Sequence, residues 1–152
     1  ACRKEREEYL LVWQRSKADF VNARRDEEKA RAAFTKFANE ALIEELLPVL
    51  QNFERAMGNK AVWEKVEANW RVGVEHIYAQ LTSALQKAGI SFIEPKVGDV
   101  FDLVEHASVE SVPVSDEAHN HTVREVLQNG FALYGKILEP AKVKVGEYKR
   151  DL

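Results

Sequence analysis

Residues 9–41 read YLLVWQRSKADFVNARRDEEKARAAFTKFANEA. Steps of four and three from Tyr9 reach Trp13, Ser16, Phe20, Ala23, Glu27, Ala30, Phe34, Phe37 and Ala41. Only Ser16 and Glu27 interrupt the apolar series, so this is a helical heptad seam. Aromatic and Ala residues stand where a leucine zipper carries Leu and Ile, so the pairing is expected to be weak or uneven. The remaining surface is mixed charge, as in Arg24-Arg25-Asp26-Glu27-Glu28-Lys29. A helix of about 40 residues is about 60 Å long. It cannot bury its stripe against itself, and a second copy is the most economical partner.

The helical pattern continues through Leu42, Leu46, Val49, Phe53 and Met57, with Pro48 inside it. Proline removes one backbone donor and crowds the preceding turn, which predicts a kink or restarted helix between Ala38 and Pro48. Gly58 is expected to end the segment as a left-handed cap, and Asn59 to cap the next helix. That helix carries Val62, Val66, Trp70, Val74, Ile77, Leu81, Leu85 and Ala88, and Gly89 closes it. Two copies of this hairpin would make a four-helix bundle. From Ile90 the period shifts toward two. Ser91-Phe92-Ile93 reads as a strand stopped by Pro95, and His106–Val112 alternates weakly. Thr122–Gln128, Asn129-Gly130 and Phe131–Tyr134 read as a hairpin with a tight Asn-Gly turn. Ala141–Val145 alternates cleanly as a strand with one wet face. The fold class is α+β, with residues 1–40 a long helix, 41–89 a helical hairpin and 90–152 a small β-domain.

Composition agrees with this division. The chain has 152 residues, 22 Lys plus Arg and 25 Asp plus Glu, for a net charge of -3. That is far from the basic balance of a nucleic-acid binder. Residues 1–89 hold 15 basic and 14 acidic side chains, and residues 90–152 hold 7 and 11. With 7 Gly and 4 Pro, neither a turn-rich all-β fold nor a disordered chain is expected. No stretch approaches the roughly 18 apolar residues of a membrane span. One Cys, at position 2, allows no internal disulfide and suits a reducing compartment. The chain opens Ala-Cys-Arg-Lys without Met, already in helix-like charge patterning, and reads as a fragment.

Catalytic patterns are scarce. His119-Asn120-His121 could hold a metal if it lay on a strand, but its surroundings, Val114-Ser115-Asp116-Glu117-Ala118, read as a loop with two solvated histidines. There is no Gly-rich phosphate loop and no Gly-x-Ser-x-Gly elbow. Glu44-Glu45 are adjacent on a helix and diverge, so they make a poor acid/base dyad. Trp13 and Trp70 sit on apolar stripes. The residues therefore read as a binding or scaffold protein, with no catalytic residue, cofactor or metal.

Four segments sharpen that reading. They are Glu44-Glu45-Leu46-Leu47-Pro48-Val49-Leu50-Gln51-Asn52-Phe53-Glu54-Arg55-Ala56; Gly73-Val74-Glu75-His76-Ile77-Tyr78-Ala79-Gln80-Leu81 through Lys87-Ala88-Gly89-Ile90; Gly98-Asp99-Val100-Phe101-Asp102-Leu103-Val104-Glu105-His106-Ala107; and Val123-Arg124-Glu125-Val126-Leu127-Gln128-Asn129-Gly130-Phe131 followed by Leu138-Glu139-Pro140-Ala141-Lys142-Val143-Lys144-Val145. In this order and spacing the chain resembles the GrpE family, the nucleotide exchange factors of DnaK-type heat-shock chaperones, from about residue 18 to 146.

The resemblance implies a homodimeric co-chaperone of protein folding and the stress response. A long coiled-coil helix leads to a four-helix bundle formed by two copies. A β-domain then opens the ATPase cleft of the chaperone so that ADP leaves. The implied compartment is the bacterial cytoplasm, with an organelle matrix as the other one left open. Neither nucleic acid nor membrane is an implied partner. Residues matching chaperone-facing positions are Arg24, Phe37, Arg55, Leu127, Lys136 and Val145, with Phe37 and Val145 also readable as seam or core. The expected dimer interface holds Trp13, Phe20, Phe34, Leu46, Phe53, Trp70, Ile77 and Leu81, with Gly73 a small residue that gives packing room in the bundle. Three positions depart from the family pattern. Leu103 replaces the Pro of Phe-Asp-Pro and is expected to loosen a turn. Lys136 stands where Arg is common. Glu139 stands where Arg is usual, which would reverse a charge on the contact face.

Two other classes share part of this pattern. A coiled-coil transcription factor of the GreA type needs metal-holding acidic residues at the hairpin tip, and Gly58-Asn59-Lys60 has none. A zinc enzyme would rest on His119 and His121 alone. A dimeric helical scaffold is what remains if exchange activity is absent.

Overall fold

A computed structural model describes residues 2–149. The chain forms two compact units, Ala1–Ala38 and Asn39–Leu152. In the first, α1 (Cys2–Phe37) is a single helix with no buried residue. Its internal supports are weak: Arg24 and Glu28 approach to 3.7 Å, and Lys17 lies 5.0 Å from the Trp13 ring centroid. Such exposed pairs contribute a few tenths of a kcal/mol each. Such pairs by themselves leave a lone helix marginal without a partner for its stripe.

The second unit begins after a turn at Ala38-Asn39, where the expected restart falls. α2 (Glu40–Gly58) runs through Pro48 and buries Ile43, Leu47 and Leu50 on one stripe. Gly58 does not take a left-handed conformation, contrary to expectation; it lies within α2. The helix expected over residues 60–88 is also interrupted. α3 (Lys60–Trp63) is one turn, and α4 (Ala68–Lys87) starts afresh. The reason is Glu67, whose backbone is extended and whose carboxylate accepts from Asn69 N at 3.1 Å and Trp70 N at 2.9 Å. Two donors left bare by the helix start are satisfied by one side chain. Phe53 of α2 and Tyr78 of α4 meet in a tilted contact, 6.0 Å between ring centroids, and Tyr78 Oη donates to Glu54 at 2.9 Å. Burial, then the Glu54 carboxylate, pushes the Tyr78 phenol well above its ordinary value.

Those two amide bonds hold the Glu67 carboxyl below its usual range, Trp70 N contributing most. A depressed folded value gives stability that is present above the unfolded value and lost as pH falls through the folded one. The first turn of α4 is therefore expected to fray as pH drops below about 4. Amide exchange of Asn69 and Trp70 checks this. It should accelerate relative to the rest of α4 on acidification, and Glu67→Gln should abolish the acid dependence.

Gly89 ends α4 as expected, with φ +104°. A Cβ there would run into the Tyr134 ring, and its carbonyl accepts from Tyr134 N at 2.9 Å. Beyond it lie two three-stranded sheets. β1 (Ile90–Ile93), β4 (Gly130–Leu133) and β5 (Lys136–Glu139) are antiparallel, in the order β1-β4-β5. β2 (His106–Val114), β6 (Ala141–Tyr148) and β3 (Val123–Gln128) form the order β2-β6-β3, with β2 parallel and β3 antiparallel to β6. Ile93, Ala132 and Ala141 form one buried cluster, and Val123, Val143 and Val145 another. Lys144 ties the second sheet together, 3.0 Å from Glu125 and 3.3 Å from Glu110. Those bonds raise the lysine's pKa.

The expected Asn129-Gly130 hairpin does not form. β3 and β4 belong to different sheets, and the chain crosses between them at that dipeptide. Gly130 is needed for a close approach: a Cβ would lie 2.5 Å from Ala141 N and 2.6 Å from Glu139 O. The tight hairpin instead joins β4 to β5 through Tyr134 (φ 46°) and Gly135 (φ 82°), the positive-φ pair of a primed turn.

Candidate partner-binding surface

A groove of about 390 Å³ lies between the second half of α2 and the end of β3. Gln51, Glu54, Arg55 and Gly58 form its helical wall, and Val126, Leu127, Gln128 and Asn129 its strand wall. The α2 stripe is buried at Ile43, Leu47 and Leu50, which leaves Arg55 at the exposed end of the helix. Leu127 is 45 % exposed. Two of the expected contact residues, distant in the chain, thus line one groove: a cation on one wall and an apolar side chain on the other.

The other expected contact residues lie elsewhere. Lys136, at the start of β5, donates to the Glu40 carboxylate at the start of α2. Val145 is only 7 % exposed, packed with Val123 and Val143. Its side chain is a core element of β6, and the core reading of that residue is the one the structure bears. Arg24 is exposed on α1 beside Glu28, and Phe37 is half-buried at the end of that helix.

Of the expected dimer residues, Trp13, Phe20 and Phe34 are exposed on α1, Phe34 by 75 %. On α4, Trp70 is 68 % exposed and Ile77 also faces outward. Leu46, Phe53 and Leu81 are half-buried. A Cβ at Gly73 would meet nothing within 4 Å in the single chain.

Glu139 places its carboxylate against two residues of the groove. Its half-buried carboxylate accepts from Gln51 Nε2 at 2.6 Å and Gln128 Nε2 at 3.4 Å, with Lys142 Nζ at 4.0 Å. Sequence reading missed Gln51 and Gln128 altogether. They meet Glu139 only through the tertiary fold, and no local spacing signals them.

The turn that carries Leu103 is organised by Asp102. The Asp102 carboxylate accepts from Val104 N at 2.6 Å and Glu105 N at 3.2 Å, and Asp102 N donates to His106 Nδ1 at 3.1 Å. Leu103 itself is 87 % exposed. His119 ends a one-turn 3-10 helix, Glu117–His119, His121 follows two residues later, and neither lies on a strand. Among the described residues, no group of three or more His, Cys, Asp or Glu could hold a metal ion.

A helix with its apolar stripe bare, joined in sequence to a two-sheet domain with a mixed apolar and cationic groove, defines a class of protein built for protein contacts. The chain matches the GrpE family over residues 1–147. It is 41 % identical over 124 residues to Protein GrpE of Thermotoga neapolitana, covering 82 % of this chain and 70 % of that protein. It is 38 % identical over 144 residues to Protein GrpE of Caldanaerobacter subterraneus, covering 95 % and 68 %. Protein GrpE of Thermotoga maritima is 44 % identical over 110 residues, covering 72 % and 60 %. The chain belongs to the GrpE family, the co-chaperones that act as nucleotide exchange factors of DnaK-type chaperones.

Proposed function

We propose that this chain acts as a homodimer whose β-domain seats against the ATPase domain of a DnaK-type chaperone, with the Arg55–Leu127 groove as part of the contact. Residues 1–40 would pair as the long helix, residues 41–89 would build the four-helix bundle, and residues 90–152 would form the chaperone-facing domain. No bond is made or broken by the factor. It binds the open, nucleotide-poor state of the ATPase domain more tightly than the closed one. By linkage it weakens ADP by the same factor that ADP weakens it.

The observation that carries this reading is the meeting of Arg55 and Leu127 in one groove. The bare stripes of α1 and α4, with Phe34 and Trp70 largely exposed, support self-association. No described helix is long and apolar enough to cross a membrane. The family's bacterial members make the bacterial cytoplasm the proposed compartment. The α1 seam, interrupted by Ser16 and Glu27, suits a helix pair that melts cooperatively on heating.

The test is stopped-flow release of a fluorescent ADP from a DnaK-type chaperone of the same organism. Release should accelerate by orders of magnitude when the protein is added. An unchanged rate with that chaperone sinks the reading and leaves a helical scaffold.

A further inference from the structure

We propose that Glu139 is a positioning residue for the groove, fixing the placement of Arg55 relative to Leu127. The proposal rests on the reading of that groove as chaperone-facing. Glu139 ends β5, a strand that contributes neither groove wall. One of its oxygens accepts from Gln51 on α2 at 2.6 Å, and the other from Gln128 on β3 at 3.4 Å. Gln51 stands one helical turn before Arg55, so the two share a face of α2. Gln128 directly follows Leu127 at the end of β3. Both glutamines line the groove. One carboxylate therefore holds the helical wall and the strand wall together.

The chemistry suits the role. A carboxylate is acceptor-only and has lone pairs for several donors at once. Hydrogen bonds to a charged acceptor are stronger than neutral ones, and half-burial limits their screening by solvent. Lys142 at 4.0 Å supplies the opposite charge. Without the carboxylate, each glutamine amide loses its partner and α2 can shift against β3. Arg55 and Leu127 then meet the chaperone in less than the productive geometry.

The experiment is a double-mutant cycle in stopped-flow ADP release, reading the half-saturating factor concentration and the maximal rate separately. Glu139→Ala is expected to raise the half-saturating concentration about tenfold and leave the maximal rate unchanged. Placed on an Arg55→Ala, Leu127→Ala background, the same change should shift it less than about twofold, because there is nothing left to position. Glu139→Gln, which keeps the shape but only one acceptor oxygen and no charge, should recover only part of the loss. Equal shifts in both backgrounds overturn the proposal. If Glu139→Ala does not fold by circular dichroism, Gln51→Leu with Gln128→Leu replaces it in the cycle under the same criterion. A wild-type protein that accelerates release, with an Arg55→Ala, Leu127→Ala variant that matches it, overturns the groove reading and this proposal together. A groove variant that fails as expected, beside an additive cycle, overturns the proposal about Glu139 alone.

Discussion

Replacing Arg55 and Leu127 together by Ala is expected to raise the half-saturating concentration for ADP release by about 100-fold, with little change in thermal stability. Buried Arg and large apolar anchors at interface centres cost about 2 kcal/mol or more each when truncated. Such losses overlap, and about 3 kcal/mol for the pair corresponds to about 100-fold in affinity. Neither side chain belongs to the core of the single chain. Arg55 is exposed, and Leu127 is outside both buried clusters of the sheets. Exposed substitutions of this kind change folding stability by a few tenths of a kcal/mol. Titrating the variant against labelled-ADP release, beside a thermal scan, separates the two effects. A shift under about threefold would show that the groove carries little of the binding energy.

Phe131→Ala is expected to produce the largest loss of stability in the second unit. Phe131 is fully buried on β4, the central strand of its sheet, and meets Phe92 edge-on at 5.4 Å. Truncating a buried Phe costs about 3–5 kcal/mol, from lost transfer energy and the cavity left behind. Both neighbours, β1 and β5, pair with β4, so relaxation that fills the cavity must disturb two ladders. For a unit of this size the unfolding midpoint should fall by roughly 10–25 °C. Differential scanning calorimetry reads this directly. Because α1 buries no residue in the single chain, any separate α1 transition should keep its midpoint. A single transition shifted as a whole would show that the two units unfold together.

Much of the fold is legible in the residues. The α1 stripe, the end of α4 at Gly89 and the strands β1 and β6 all follow from local periodicity and from what Gly does to a backbone, whereas α2 runs through Pro48 and the break falls at Ala38-Asn39. The errors share a cause. Asn129-Gly130 carries a strong hairpin signal, yet Gly130 is there for a backbone crossing between sheets. Tyr134-Gly135 carries a weak signal and makes the turn, since its positive φ at Tyr134 is held by the sheet and by Gly89. Glu67 is a poor candidate for a helix cap by residue type, and interrupts the third helical segment by satisfying two amides.

The candidate surface divides the same way. The residue types at Arg55 and Leu127, and the apolar seam of α1, are properties of the sequence, because residue type and periodicity are local. Only the tertiary structure decides that Arg55 and Leu127 share a groove, that Val145 is core, and that Glu139 turns toward Gln51 and Gln128. Those facts depend on which strands pair and on where α2 comes to rest against them. Pairing between residues far apart in the chain is selected by the burial of the whole core, and no local pattern encodes it.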